Sequence, residues 1–219
     1  MPRALFEKTG NAIYISHLDL MRVFQRAFKR AGLPLTHTKG FNPRPSVSIA
    51  LPLSLGVESQ CELLDFDLEG EGVSNEEIQT RLNEALISGI KVLDVYDNMS
   101  KLKNLAFLDC ILTLKYDAKV PSNAVNQICD LFMQDEVVVE KKGKNGILEQ
   151  NIVPMIRKIK VLQQDEHTLT LNALVCCQNP ALNPMQLSAA ITKYLPDLVP
   201  DFVRCRRVEV YNANEEVFR

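Results

Sequence analysis

The sequence lacks a long apolar run, because no stretch approaches the ~20 consecutive apolar residues that a helix needs to span a bilayer. Its first residues, from Met1 to Glu7, contain no apolar core after the charge and so do not predict a secretory signal. With 46% hydrophobic and 24% charged residues, the composition is that of an ordinary globular protein. These features predict a cytoplasmic protein with no membrane partner.

The sequence also lacks the motifs that hold a cofactor or a metal. Its six cysteines form no C-x2-C pair and no C-x3-C-x2-C cluster, and no glycine-rich nucleotide loop is present. Cys110, Cys129, Cys176 and Cys205 have apolar neighbours, which is typical of small core residues. We therefore expect no metal site and no cofactor.

Hydrophobic periodicity predicts the order strand, helix, two strands, helix, strand in each half of the chain. In the first half the predicted strands cover 4–8, 47–53, 61–68 and 90–96, with helices that begin at the caps Ser16 and Ser74. In the second half they cover 106–116, 136–141, 168–176 and 203–211, with helices over 121–132 and from the cap Asn183. A polar turn is predicted at 142–146, and the stretch 147–164 stays open between strand and other structure.

This order predicts an α+β fold of two tandem ferredoxin-like (βαββαβ) halves with antiparallel sheets. The predicted domains are residues 1–102 and residues 103–219.

Charge is segregated along the first half of the chain, although the net charge is only −2. Residues 1–50 hold eight Lys/Arg against two acids, and residues 51–100 hold eleven acids against two Lys/Arg. This distribution predicts a basic face. Alternatively, the two segments are neighbours in the fold and neutralise each other.

The first predicted helix carries the cations Arg22, Arg26, Lys29 and Arg30 at helical spacing, away from its apolar stripe. Cations on one face repel one another unless an anion lies across them. A phosphate backbone, an acidic partner or the acidic segment of this chain after residue 60 is therefore expected there. His17 lies in the first turn of this helix. It is either a structural residue near the cap or a candidate acid/base or ligand residue.

The segment 36–46 forms a second candidate site. Pro43 and Pro45 restrict the backbone around Arg44, so the loop is predicted to be stiff. Donors and one aromatic ring are concentrated in it: Lys39, Phe41, Asn42 and Arg44. Such a loop can bind a base or a phosphate of a single strand, or it only shapes the connection between strands. We expect the loop and the cations of the helix to form one surface.

Four motifs follow one another in the order FEKTG at 6–10, ISHLDLMR at 15–22, KGFNPRP at 39–45 and ALPLSLGVES at 50–59. In these motifs the sequence resembles the radical-SAM-linked family, most densely over residues 5–70. Members are similar to a domain of unknown function that is fused to, or encoded beside, a cobalamin-binding radical SAM protein. The resemblance implies a radical SAM protein as partner and names no reaction.

Three functions fit these observations. The first is a non-catalytic accessory domain that binds a substrate, such as RNA, for a radical SAM enzyme. The second is an RNA-processing or RNA-modifying enzyme that uses His17 with Lys39 or Arg44, since RNA cleavage requires a base and a cation near the developing charge. The third is a protein–protein adaptor that docks through the acidic segment 58–77. The residues do not decide whether the protein is an enzyme, and the missing motifs favour the accessory role.

Overall fold

The structure is a computed structural model that describes residues 2–70, 72–98, 100–143 and 146–219. The chain divides into two compact units, Met1–Leu102 with Arg219, and Lys103–Phe218. Among the described residues, no helix has the length and apolar character that crossing a membrane requires.

Unit 1 consists of an antiparallel sheet and two helices. Its elements are β1 (Pro2–Lys8), α1 (His17–Arg30), β2 (Val47–Ile49), β3 (Glu58–Phe66), α2 (Asn75–Ala85) and β4 (Ile90–Asp97). The strand order is β4-β1-β3-β2, and every pair in it is antiparallel.

The core of unit 1 forms where the apolar stripe of α1 covers alternate residues of β1 and β3. Phe6 of β1 meets Phe24 of α1 edge to face, with ring centroids 4.8 Å apart. The ring centroids of Phe28 on α1 and Phe66 on β3 are 4.9 Å apart. Because all four rings are buried, they fix α1 on the sheet and thereby position the cations on its outer side.

The same strands also bury charged groups. Arg3 of β1 donates from Nε and Nη2 to the two carboxylate oxygens of Asp65 on β3, at 2.5 and 3.0 Å. Lys8 is buried at the end of β1, near Glu62, and donates to the carbonyl oxygens of Ile13 and Ile15 at 3.3 and 2.8 Å. Burial lowers the pKa of Lys8, and the Glu62 carboxylate partly opposes that shift.

Unit 2 has a similar plan with an added hairpin. Its elements are β5 (Leu105–Lys115), α3 (Ala124–Phe132), β6 (Val138–Gly143), β7 (Gly146–Asn151), β8 (Ile156–Gln164), β9 (Thr168–Cys176), α4 (Met185–Tyr194) and β10 (Phe202–Asn212). The strands of its main sheet follow the order β10-β5-β9-β8, again antiparallel throughout. In the described part of the chain, β6 and β7 pair with each other and with no further strand. The hydroxyl group of Tyr194 on α4 holds this hairpin by bonding to the backbone of Val138.

The predicted α+β class with antiparallel sheets is confirmed. Three finer predictions need correction. The strand predicted at 136–141 exists but lies in the β6–β7 hairpin, and the main sheet takes β8 from the stretch left open in the sequence. The strand predicted at 47–53 ends at Ile49, and Cys129 is exposed rather than part of the core. Within the polar turn predicted at 142–146, Lys144 and Asn145 lie outside the described residues.

Candidate nucleic-acid interface

Residues 36–46 fold back on themselves as an arm, whose two sides are joined by an isolated antiparallel bridge between His37 and Pro45. Thr36 and Ser46 are joined by a backbone bond of 2.8 Å, and Thr38 donates to the carbonyl oxygen of Arg44 at 2.8 Å. The amide of Arg44 donates back to the hydroxyl oxygen of Thr38 at 3.0 Å. At its base the arm is tied to Asp67, which bonds the backbone and the hydroxyl group of Thr36. The arm is thus held by its own hydrogen bonds, and the stiffness that its prolines predict stays a prediction.

The tip of this arm consists of residues 39–43 and carries four predicted site residues on or beside it. Phe41 is fully exposed and presents its whole ring to solvent. Lys39, Asn42 and Arg44 are exposed around it. An aromatic ring held in water beside two cations and an amide can stack on a flat group and bind the charge next to it.

The four predicted cations of α1 differ in what they contact. Arg22 bonds Asp19 at 2.7 Å, one turn earlier. Arg30 donates to the carbonyl oxygen of Ala85, the last residue of α2. Arg26 and Lys29 are exposed, and among the described residues neither forms an ion pair. The free positive charge of this helix is therefore smaller than the spacing of four cations predicts.

The acidic segment does not neutralise these helix cations in the described residues. The ion pairs that reach it from residues 1–50 are Arg3 with Asp65 and, at 3.9 Å, His37 with Glu69. Among the described residues, mutual neutralisation therefore concerns the buried Arg3, which pairs with Asp65, and the buried Lys8, on which the Glu62 carboxylate acts.

A cleft of about 450 Å³ lies between the end of α1 and the base of the arm. Its floor is apolar, with Phe28, Leu33 and Leu35, while Lys29 of α1 and His37 of the arm stand at its rim. α1 and the arm therefore share a surface at Lys29. That Arg22 and Arg26 form one surface with Arg44 stays a prediction.

His17 begins α1 at the end opposite to this cleft. The cap Ser16 accepts from the amide of Asp19 at 3.2 Å, as the sequence predicts. At 1.5 Å per residue, His17 lies about 18 Å along the helix axis from Lys29. His17 therefore lies away from the cations at the cleft, and its joint action with Lys39 or Arg44 stays a prediction. Among the described residues, no three His, Cys, Asp or Glu side chains are grouped as a metal site requires.

Sequence reasoning missed His37 and the apolar floor of the cleft. His37 lies inside the predicted loop, but its approach to Lys29 depends on how Gly32 and Pro34 turn the chain after α1. Gly32 has a φ of +66°, in the left-handed region that favours glycine. In the sequence, Gly32 and Pro34 indicate that the chain turns after α1, but they do not indicate the direction of the turn.

Solved structures share the fold of this chain at low sequence identity. A chain from the crystal structure of a Cbf5-Nop10-Gar1 complex matches 95% of this chain with a TM-score of 0.53 and 9% identity. A chain from the structure of an H/ACA RNP bound to a substrate RNA containing 2'-deoxyuridine matches 94%, with a TM-score of 0.50 and 10% identity. This chain spans about half the length of each, 48% and 46%. At such identities the likeness shows the fold alone.

No curated protein matches the sequence. A family profile does match, and it covers residues 2–184, which include all of unit 1, the arm and most of unit 2. Its description is "Uncharacterized protein conserved in bacteria (DUF2344)". The chain therefore belongs to this DUF2344 family.

Proposed function

We propose that this protein is a non-catalytic module that binds single-stranded RNA through the arm and the exposed cations of α1. The observation that carries the proposal is the fully exposed ring of Phe41 on a hydrogen-bonded arm, with Lys39 and Arg44 beside it. Keeping a phenylalanine ring in water forgoes the roughly 1.5–3 kcal/mol that its burial contributes. A ligand that covers the ring recovers this free energy.

A nucleobase is the ligand that suits this arrangement best. Stacking of one base on an aromatic side chain stabilises binding by about 1–3 kcal/mol, and it needs a base that is not already paired. The cations Lys39, Arg44, Arg26 and Lys29 supply partners for the phosphates of the same strand. The likeness to a chain of an RNA-bound H/ACA RNP is consistent with this ligand class.

The proposal includes a radical SAM protein as the catalytic partner. The four motifs at 6–10, 15–22, 39–45 and 50–59 support it through the resemblance described above. Two of these motifs meet at one place, where Lys8 of the first donates to the carbonyl oxygen of Ile15, the first residue of the second, at 2.8 Å. Recovery of the tagged chain from its native host tests this part, and repeated isolation without a radical SAM protein would remove it.

We further propose that the two units are tandem ferredoxin-like domains, 1–102 and 103–219. The strand orders β4-β1-β3-β2 and β10-β5-β9-β8 support this, since the second repeats the first when the β6–β7 hairpin is left aside.

RNA binding is tested by fluorescence anisotropy with a labelled single strand of about 12 nucleotides and the matching duplex. Phe41→Ala should weaken binding to the single strand about 5- to 100-fold, which corresponds to the loss of one stacked base. Binding to the duplex should change much less. Tyr14→Ala is the matched control, because Tyr14 is also exposed but precedes the opposite end of α1.

Salt dependence tests the cations separately. Each phosphate contact that is lost should reduce the slope of log affinity against log salt by about 0.7 for a single strand. Lys39→Glu and Arg26→Glu should each flatten the slope, whereas Lys91→Glu, at an exposed position on β4, should not. If Phe41→Ala and both charge reversals leave affinity and slope unchanged, the arm does not bind RNA and the proposal fails.

A further inference from the structure

A second cleft of about 450 Å³ lies in unit 2, on its main sheet. Its floor is formed by Asp109 of β5, Asn172 and Leu174 of β9 and Lys160 of β8. Along β5 and β9 these positions alternate with the buried residues of the core, so they face the other side of the sheet. Neither the RNA proposal nor the family description assigns a role to this cleft.

The floor presents hydrogen-bond acceptors side by side. Nδ2 of Asn172 donates to Asp109 and, at 3.3 Å, to the carbonyl oxygen of Cys110. The amide oxygen of Asn172 receives no donor from the described residues. A carboxylate accepts up to about four hydrogen bonds, so Asp109 also keeps acceptor capacity. Burial raises the pKa of Asp109, and the hydrogen bond from Asn172 opposes this shift.

The cations of the cleft differ in their availability. Lys158 bonds Glu215 at 2.5 Å, and Arg157 reaches the same carboxylate at 3.4 Å. Lys160 forms no ion pair among the described residues, yet it is close enough to act on Asp109 electrostatically. Lys160 is therefore the cation that an anionic ligand group would meet.

The turn after β10 lines one side of the cleft through Glu215. The side-chain oxygen of Asn212 accepts from the amides of Asn214 and Glu216, at 2.8 and 3.1 Å. Glu215 has a φ of +59°, a conformation that costs free energy for any residue except glycine. In this conformation its carboxylate holds Lys158 and Arg157, and the ring of Tyr211 lines the cleft beside it.

We propose that this cleft binds a guanine nucleotide. Guanine presents two adjacent donors, N1–H and the N2 amino group, which match the acceptors of Asp109 and Asn172. Lys160, Tyr211 and Leu174 line the same cleft, where the lysine is available to the phosphate and the other two side chains to the faces of the base. The volume is within the range of about 300–1,000 Å³ that small-ligand sites occupy. The site shares no residue with the arm, so it does not depend on the RNA proposal.

The test is isothermal titration of the intact chain with GMP, UMP, guanosine and inorganic phosphate. GMP should bind at least about tenfold more tightly than UMP, because uracil offers a single N–H donor between two acceptors. Asp109→Asn should weaken GMP binding by at least about tenfold, since an amide replaces the paired acceptors. Lys160→Gln should reduce the affinity for GMP to that for guanosine and leave guanosine binding unchanged.

Matched controls are Asp130→Asn on α3 and Lys115→Gln on β5, both exposed residues that do not line the cleft. Lys160 is exposed, so Lys160→Gln keeps the test decisive even if Asp109→Asn fails to fold. Equal affinity for GMP and UMP, binding of phosphate alone as tightly as GMP, or GMP binding that survives both substitutions would overturn the proposal. So would an absence of binding up to about 10 mM GMP.

Discussion

Lys8 and Arg3 carry positive charge inside unit 1 rather than on its surface. The sequence counts both among the eight cations of residues 1–50, and this count predicts a strongly basic face. Burial removes these two, Arg30 binds the end of α2, and Arg22 pairs with Asp19. Charge counting fails here because it does not separate an exposed cation from a buried one that specific acceptors hold, as Asp65 holds Arg3.

Lys8→Met should destabilise the protein strongly. The substitution keeps the length of the side chain but leaves the carbonyl oxygens of Ile13 and Ile15 without this donor and Glu62 without this cation. Leaving a buried acceptor without its donor costs about 1–3 kcal/mol, and two carbonyl oxygens lose theirs here. Urea denaturation measures the change, with Lys91→Met on the surface of β4 as the control. A loss below about 1 kcal/mol would contradict the role given to Lys8.

At the scale of the elements, local signals predicted most helices and strands correctly. Ser16 and Ser74 cap α1 and α2 as expected, because a capping side chain and its amide lie three residues apart. β8 was not predicted because its irregular pairing with β9 includes two shifts in register, which break the alternation of its side chains. The arm was predicted as a stiff loop, but the cleft at its base is lined jointly by His37 of the arm and Lys29 of α1, an arrangement that no local pattern contains.

Ser16→Ala should weaken the start of α1 and return the pKa of Asp19 toward its ordinary value. The Ser16 hydroxyl group accepts from the amide of Asp19 and donates to its carboxylate at 2.7 Å, and these bonds, with that of Arg22, lower the pKa of Asp19. Loss of an N-cap costs about 1 kcal/mol. Thermal unfolding followed by circular dichroism measures it, and Ser16→Asp, which can still cap, should retain most of the stability. Equal stability of the alanine and aspartate variants would argue against the cap.

At the scale of the whole chain, the family match ends at residue 184, whereas unit 2 extends through β10. β10 pairs with β5 from Phe202 to Asn212, along the full length of both strands. A chain that ends at Pro184 therefore leaves one edge of β5 unpaired and the core beneath α4 uncovered.

We expect the chain truncated after Pro184 to lose the cooperative unfolding of unit 2. Hydrogen exchange provides the measurement, since the amides of β5 that bond to β10 should exchange slowly in the full chain and rapidly in the truncated one. The amides of β1 that bond to β4, within unit 1, serve as the internal reference. Slow exchange along the β10 edge of β5 in the truncated chain would show that β10 is dispensable.

The pairing of β5 with β10 also sets an order of events during translation. Every strand of unit 1 has been made by residue 97, whereas β5 acquires its partner on one edge only when residues 202–212 emerge. At ~5–20 residues per second, that edge stays open for about 5–20 s. An open edge on an apolar strand is a site for pairing with other nascent chains. The rate of translation between β5 and β10 should therefore influence the yield of folded protein more than the rate over unit 1.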